Sequence, residues 1–221
     1  MTDTYPRLRP LDLGALRNLG LSAGLAAAAG EPPAWPSLIQ ALRADPSHRL
    51  ELLRALAWGM DDLDRLWWTC IAARLEEIAS GRGERSQALV LSERWLREKD
   101  DSVRYEAFRR SREEGSRGPA SMVGMAAFVA GPSLAPPDKP VEAPPPSLPF
   151  EAALGVLVAT AAAPAMGEDG FTHVNAIGLD VASGADGREP ARNALAALQT
   201  PAAPASPASD PGPPTDQRAP V

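Results

Sequence analysis

The stretch DDLDRLWWTCIAARLEEIAS, residues 61–80, decides how the chain is read. Its apolar residues Leu63, Leu66, Trp67, Cys70, Ile71, Leu75 and Ile78 recur at spacings of three and four, which places them on one face of a helix. Trp68 lies about 100° further round than Trp67, so it widens that face. Asp62, Arg65, Thr69, Glu76 and Glu77 fill the remainder. A helix with so wide an apolar stripe must be covered by several partners, which points to an all-helical, multi-helix domain.

Working outward, the flanks repeat the pattern. Leu11–Ala29 reads as one small, alanine-rich helix after a flexible segment at 1–10. Trp35-Pro36 opens a helix that stops at Asp45-Pro46-Ser47, where Asp45 or Ser47 can cap the next. Leu50, Leu53, Leu56, Ala57 and Met60 form a stripe with Trp58 on its flank. Beyond Gly81 and Gly83, residues 86–99 carry Ala88, Leu91 and Trp95 beside Leu89 and Leu96, and Asp100-Asp101-Ser102 caps a further helix. There Val103, Tyr105, Ala107 and Phe108 turn inward while Arg109, Arg110, Glu113 and Glu114 face water, with Arg109–Glu113 and Arg110–Glu114 paired at i,i+4. Helices follow at 119–130 (through Met122, Met125, Ala126 and Val129), 150–163, 171–183 and 189–199. In all, the reading is about eight or nine helices in one domain over residues 11–199.

Two stretches break the pattern. Residues 131–149 are too rich in proline for helix and form an extended strap, in which Leu134, Val141 and Leu148 recur at sevens and would press onto the helices beneath. Pairs such as Pro137 and Pro140, or Pro146 and Pro149, also match ligands of SH3-like domains, a match that arises by chance in such text. Residues 200–221, rich in Pro, Ala and Ser, lack the apolar side chains needed to offset ordering and read as a disordered tail.

Composition excludes several function classes. A formal net charge of -6 opposes a nucleic-acid partner, which needs clustered Lys and Arg. The only lysines are Lys99 and Lys139, so arginine carries the positive charge, and with abundant alanine and proline this looks like a GC-rich bacterial coding bias. A single cysteine, Cys70, permits no internal disulfide, and His48 and His173 lie too far apart for a metal-ligand pattern. The Phe150–Ala163 run is shorter than the roughly 20 residues of a membrane span. Arg7, Arg9 and Arg17 ahead of Leu19–Ala29 imitate a weak signal peptide, but Asp12, Gly20, Ser22 and Gly24 favour an amphipathic helix of a cytoplasmic protein.

Candidate chemistry is sparse. Cys70 could serve as a nucleophile, yet its place on the apolar stripe raises a thiol pKa and fits an inert core cysteine. His173 with Glu168 or Asp169 could form an acid–base pair and is the alternative, enzymatic reading; acidic residues there also fit a helix start. No phosphate loop, HExxH pair or GxSxG elbow occurs, so neither cofactor nor catalytic residue is expected. Trp58, Trp67, Trp68 and Trp95 could instead make an aromatic recognition patch, though tryptophans at helical spacing usually fill a core. The residues offered for contact with a partner protein are Trp68, expected to be the most exposed of the four, and Leu134, Pro136 and Pro137 of the strap.

Asp100, Asp101, Val103, Arg104 and Ala107 resemble the helix opening of a HEAT-type repeat, but no repeat period accompanies them. A wider resemblance rests on the Leu66-Trp67-Trp68 helix, the helix with Trp95, Gly131–Pro137, the triple proline Pro144–Pro146 and the Ile177–Gly184 run. Over roughly residues 40–185 these are similar to an uncharacterised bacterial family, domain of unknown function number 6931. The resemblance implies an accessory or adaptor role near type VI secretion machinery. It carries over packing and proline features and no active-site residue. The expectation is a non-catalytic protein that binds another protein.

Overall fold

In the computed structural model, which describes residues 4–115, 118–136 and 138–200, five of the eleven α-helices begin on an Asp or Ser whose side chain caps them. Asp12 and Ser22 cap α1 (Leu13–Asn18) and α2 (Ala23–Ala28), each side-chain oxygen accepting from the backbone N–H three residues on. α3 (Trp35–Ala44) starts on Trp35-Pro36, and Asp45 then holds a 3-10 turn, Pro46–His48, accepting from Ser47 N at 2.8 Å. After α4 (Arg49–Gly59), Asp61 caps α5 (Asp62–Ala79) through the N–H groups of Leu63 and Asp64. Ser86 caps α6 (Gln87–Glu98), and a left-handed Lys99 followed by the Asp100 cap turns the chain into α7 (Asp101–Glu114). α8 (Pro119–Val129), α9 (Leu148–Ala161), a 3-10 turn at Pro164–Met166, α10 (Gly170–Ala182) and α11 (Arg188–Gln199) complete the order. The fold is all-helical; no strand occurs among the described residues, where one isolated bridge joins Leu8 to Met60.

α5 is the centre of this arrangement because it serves two cores at once. Trp68, Ile71, Ala72 and Leu75 enter the larger core with α1 to α4, α9 and α10. Leu66, Cys70 and Ala73 enter a smaller one with α6, α7 and α8. A helix packed on both sides leaves little surface for polar residues, and four of those expected to fill a solvated face are buried: Arg65, Thr69, Glu76 and Glu77. Each is accommodated by a bond. Arg65 donates to the carbonyls of Ala57 (2.5 Å) and Met60 (2.6 Å), closing the end of α4, and pairs with Asp62 at 2.8 Å. Thr69 donates back to Arg65 O at 2.8 Å.

Several expectations from the sequence are corrected. Leu11–Ala29 is two helices, because Gly20 takes a left-handed φ of 99° and Ser22 starts a new cap. With that division the described residues hold eleven α-helices rather than about eight or nine. Within the N-terminal segment, residues 5–9 are tied down instead of loose: Arg9 N donates to Gly59 O (2.7 Å), Arg7 N to Ala182 O (3.2 Å), and Trp35 Nε1 to Arg9 O (2.7 Å). Leu63, Ile78, Met122 and Met125, read as inward-facing, are exposed. Glu114 does not face water with Arg110; it accepts from Ser86 Oγ (2.6 Å), Gln87 N (2.7 Å) and Ala88 N (3.1 Å), so it caps α6, while Arg110 pairs with Glu106 and Glu113. The Arg109–Glu113 pair forms as expected.

The strap is shorter than expected and held differently. Leu148 and Pro149 open α9, since proline suits the first turn of a helix. Val141 is 78% exposed, so apolar residues at sevens do not press the segment down. A polar clasp folds the strap on itself, Leu134 N donating to Glu142 O at 2.7 Å and Ser133 Oγ accepting from Ala135 N (3.1 Å) and Glu142 N (3.0 Å), and Tyr105 OH of α7 ties it down by donating to Ala135 O. Beneath it Arg104, with no exposed surface, donates to Phe128 O (2.6 Å), pairs with Asp101 (2.9 Å) and lies against the rings of Tyr105 and Phe128, which meet each other edge-on. Pro137 and residues 201–221, the body of the expected tail, lie outside the described residues.

Candidate functional site

The four tryptophans do not form one patch. Trp68 is 0% exposed, and its Nε1 donates to Val174 O at 2.9 Å, so the most enclosed of the four is the one expected to be exposed. Trp58 packs edge-on to Phe150, and Trp95 is buried in the smaller core. Only Trp67 reaches a concave surface, its Nε1 donating to Asp186 O at 3.0 Å. The reason is angular: α10 meets the Trp68 side of α5 with Gly178 against the indole, whereas α11, on the Trp67 side, leaves that ring half-buried.

The other sequence candidates are scattered. Cys70 is fully buried, and burial pushes its thiol well above the ordinary range, as suits a core residue and not a nucleophile. His173 is half-buried in a shallow depression with Asp180 and Glu189; Glu168 and Asp169 are exposed at the turn before α10. Its backbone N–H, not its ring, meets Asp169, donating to the carbonyl at 2.9 Å. Asn175 is buried and donates to Arg49 O at 2.9 Å. In the strap, Leu134 is half-buried at the clasp and Pro136 is exposed. Among the described residues no group of three or more His, Cys, Asp and Glu side chains is placed to hold a metal ion, and no helix is long and apolar enough to cross a membrane.

One surface combines the features of a binding site. Between α5, α6 and α11 runs a groove of about 530 Å³. Trp67, Ile71, Leu75 and Ile78, at positions i, i+4, i+8 and i+11 of α5, line its floor, with Leu195 of α11 alongside. Ile78 is 50% exposed. Its rim is basic: Arg97 from α6, Arg188 and Arg192 from α11, with the Arg188 guanidinium 5.6 Å above the Trp67 ring. Arg74 is engaged within the fold, its fork meeting both Glu93 oxygens at 3.1 and 3.0 Å and a further nitrogen bonding Glu77. The sequence pattern placed Ile78 correctly on the apolar stripe, but nothing in it tells that α11 leaves this end of the stripe uncovered.

A second cleft, about 460 Å³, lies where the α5–α6 connection meets α7 and α8. Two of its acidic residues, Glu77 and Glu114, and the nearby Glu76 are occupied in ordering the corner. Glu77 Oε1 accepts from Ser86 N at 2.6 Å, Glu114 caps α6, and the buried Glu76 binds Arg82 with both oxygens at 2.5 and 2.6 Å. Burial pushes Glu76 upward from the usual carboxylate range, and Arg82 opposes this. These contacts order the corner and account for its charge density.

With these surfaces in place, the comparisons with known proteins are brief. A family model, described as a family of unknown function (DUF6931), matches residues 38–182. The matched segment contains α4 to α10, hence the floor of the groove and its α6 wall, and ends before α11. No curated protein and no solved structure matches the chain.

Proposed function

The chain belongs to the family of unknown function DUF6931, and from that premise we propose that it is a non-catalytic accessory that binds another protein in the α5–α6–α11 groove. The observation that carries this reading is the uncovered end of the α5 stripe, where half-exposed Ile78 continues the apolar row of Trp67, Ile71 and Leu75 beneath an arginine rim. Contiguous apolar surface with a polar rim is what partner-binding sites present, and Trp and Arg are the residues most often found at their energetic centres. The setting implied by the family resemblance is an adaptor of a type VI secretion apparatus, acting in the bacterial cytoplasm. The exposed strap around Pro136 offers a further point of contact.

An affinity pull-down of the tagged full-length chain from its native host, with partners identified by mass spectrometry, tests this. Beside it run an Ile78→Asp variant and one lacking residues 201–221. The reading expects specific partners that Ile78→Asp no longer recovers, with secretion-machine subunits among them if the adaptor setting holds. Partners recovered equally by wild type and Ile78→Asp would remove the groove from the proposal. Partners lost only on truncation would move the contact to the tail.

A further inference from the structure

The rim of the α5 groove carries positive charge that its own chain does not neutralise. Arg97 and Arg192 form no ion pair among the described residues. Arg188 comes no nearer than 3.7 Å to Asp186, and both of those side chains are largely exposed. This surplus sits on a chain whose formal net charge is -6, so it runs against the average of the surface. Two long arginines held in water, beside an Arg188 that pairs with Asp186, around an apolar floor are arranged for an anionic partner.

The floor specifies the partner's shape. Trp67 to Ile78 spans eleven residues of α5, about 16 Å at 1.5 Å per residue, which is three turns of a helix lying alongside. A partner strand would need a sheet edge to pair with, and the described residues contain no strand. A polyproline ligand needs a row of aromatic rings, whereas Trp67 is the one aromatic lining the groove. A helix with apolar anchors at i, i+3, i+4 and i+7 can lay that face along the accessible row of Trp67, Ile78 and Leu195.

We propose that the groove binds an acidic amphipathic helix of a partner protein, whose apolar face seats on Trp67, Ile78 and Leu195 and whose flanking Asp and Glu residues face Arg97 and Arg192. This inference rests on the protein-binding reading of the same groove and adds the partner's chemistry to it. The charged flanks set the choice of partner and the rate of encounter, and the apolar anchors hold it.

The test uses two fluorescein-labelled helical probes of about 18 residues, five turns, sharing one leucine stripe. One carries Glu at the positions flanking the stripe and the other Lys. Fluorescence anisotropy with the full-length chain is expected to show the Glu probe binding at least about tenfold tighter than the Lys probe, with the difference shrinking as salt is raised. Arg97→Glu combined with Arg192→Glu should reverse the preference, and Ile78→Asp should weaken the Glu probe by about tenfold or more. Equal binding of the two probes, or no binding of either while the host pull-down still depends on Ile78, overturns the acidic-helix inference and leaves the groove as a protein site. Loss of Ile78 dependence in both experiments removes the groove reading itself. Ile78-dependent capture of vesicles of phosphatidylglycerol and phosphatidylcholine, with neither probe binding, would replace the helix by an anionic lipid surface.

Discussion

The indole of Trp68 lies against the bare backbone of Gly178: a Cβ added at that glycine would fall 2.6 Å from Cζ2 of the ring. α5 and α10 approach this closely because one contributes the largest side chain and the other none. The indole is also anchored, since Nε1 donates to Val174 O one turn earlier on the same helix. Gly178→Ala therefore sets two effects against each other. Alanine favours the helix by up to about 1 kcal/mol, but the methyl group overpacks a site whose neighbour cannot withdraw, which costs about 1–3 kcal/mol. Net destabilisation is expected, and urea unfolding of the variant checks it.

The adjacent tryptophans should separate cleanly. Trp68→Ala empties a fully enclosed site, loses the indole's bond to Val174 O, and is expected to cost about 3–5 kcal/mol. Trp67→Ala removes a half-buried side chain from a groove already open to water, so a smaller loss, about 1–2 kcal/mol, is expected. Paired chemical denaturation measures both; equal losses would place Trp67 in the core.

Arg104 is a buried charge whose bonds join the start of α7 to the end of α8. Arg104→Ala deletes the bond to Phe128 O and the packing of the guanidinium against the Tyr105 and Phe128 rings, while Asp101 stays partly in water. A loss of about 3 kcal/mol or more is expected. Arg104→Lys should recover little of it, because one ammonium cannot serve the Asp101 fork and the Phe128 carbonyl together. Thermal melts of the two variants decide this.

The pH dependence at Glu76 has a definite sign. Burial raises its folded pKa above the unfolded value of 4.5, so the folded state holds this proton more tightly than the unfolded state. Its contribution to stability therefore falls as pH rises from about 4.5 through the folded pKa, and the full desolvation penalty stands at neutral pH. Glu76→Gln cannot ionise and escapes that dependence. The stability of the variant relative to wild type is expected to be greater at pH 7 than at pH 4, as measured by urea unfolding at the two values; the opposite slope would mean that Arg82 outweighs burial.

How much of this was legible beforehand follows from which interactions are local. Caps at Asp45 and Asp100 were readable because a cap acts within three residues, a distance the sequence displays directly. The apolar periodicity of residues 61–80 placed a helix there and implied several covering partners, which the two cores supply. The family match covers most of the stretch whose tryptophan and proline features suggested it. Charged residues misled, since Arg65, Glu76, Glu77 and Glu114 are written like a solvated face but meet carbonyls, an arginine and helix starts beyond their own turn, Glu114 at a separation of 28 residues.

The amino-acid sequence by itself determined that this chain is helical, where most helices begin, and which of them carries the widest apolar face, because propensity, capping and periodicity are properties of neighbouring residues. The tertiary structure alone decided which part of that face is sealed and which is left open. Trp67 and Trp68 are chemically identical neighbours; one is enclosed because Gly178 lets α10 approach, and the other opens onto a groove because α11 covers α5 in part. Burial depends on what a distant helix brings to the same point in space, and no local pattern encodes that.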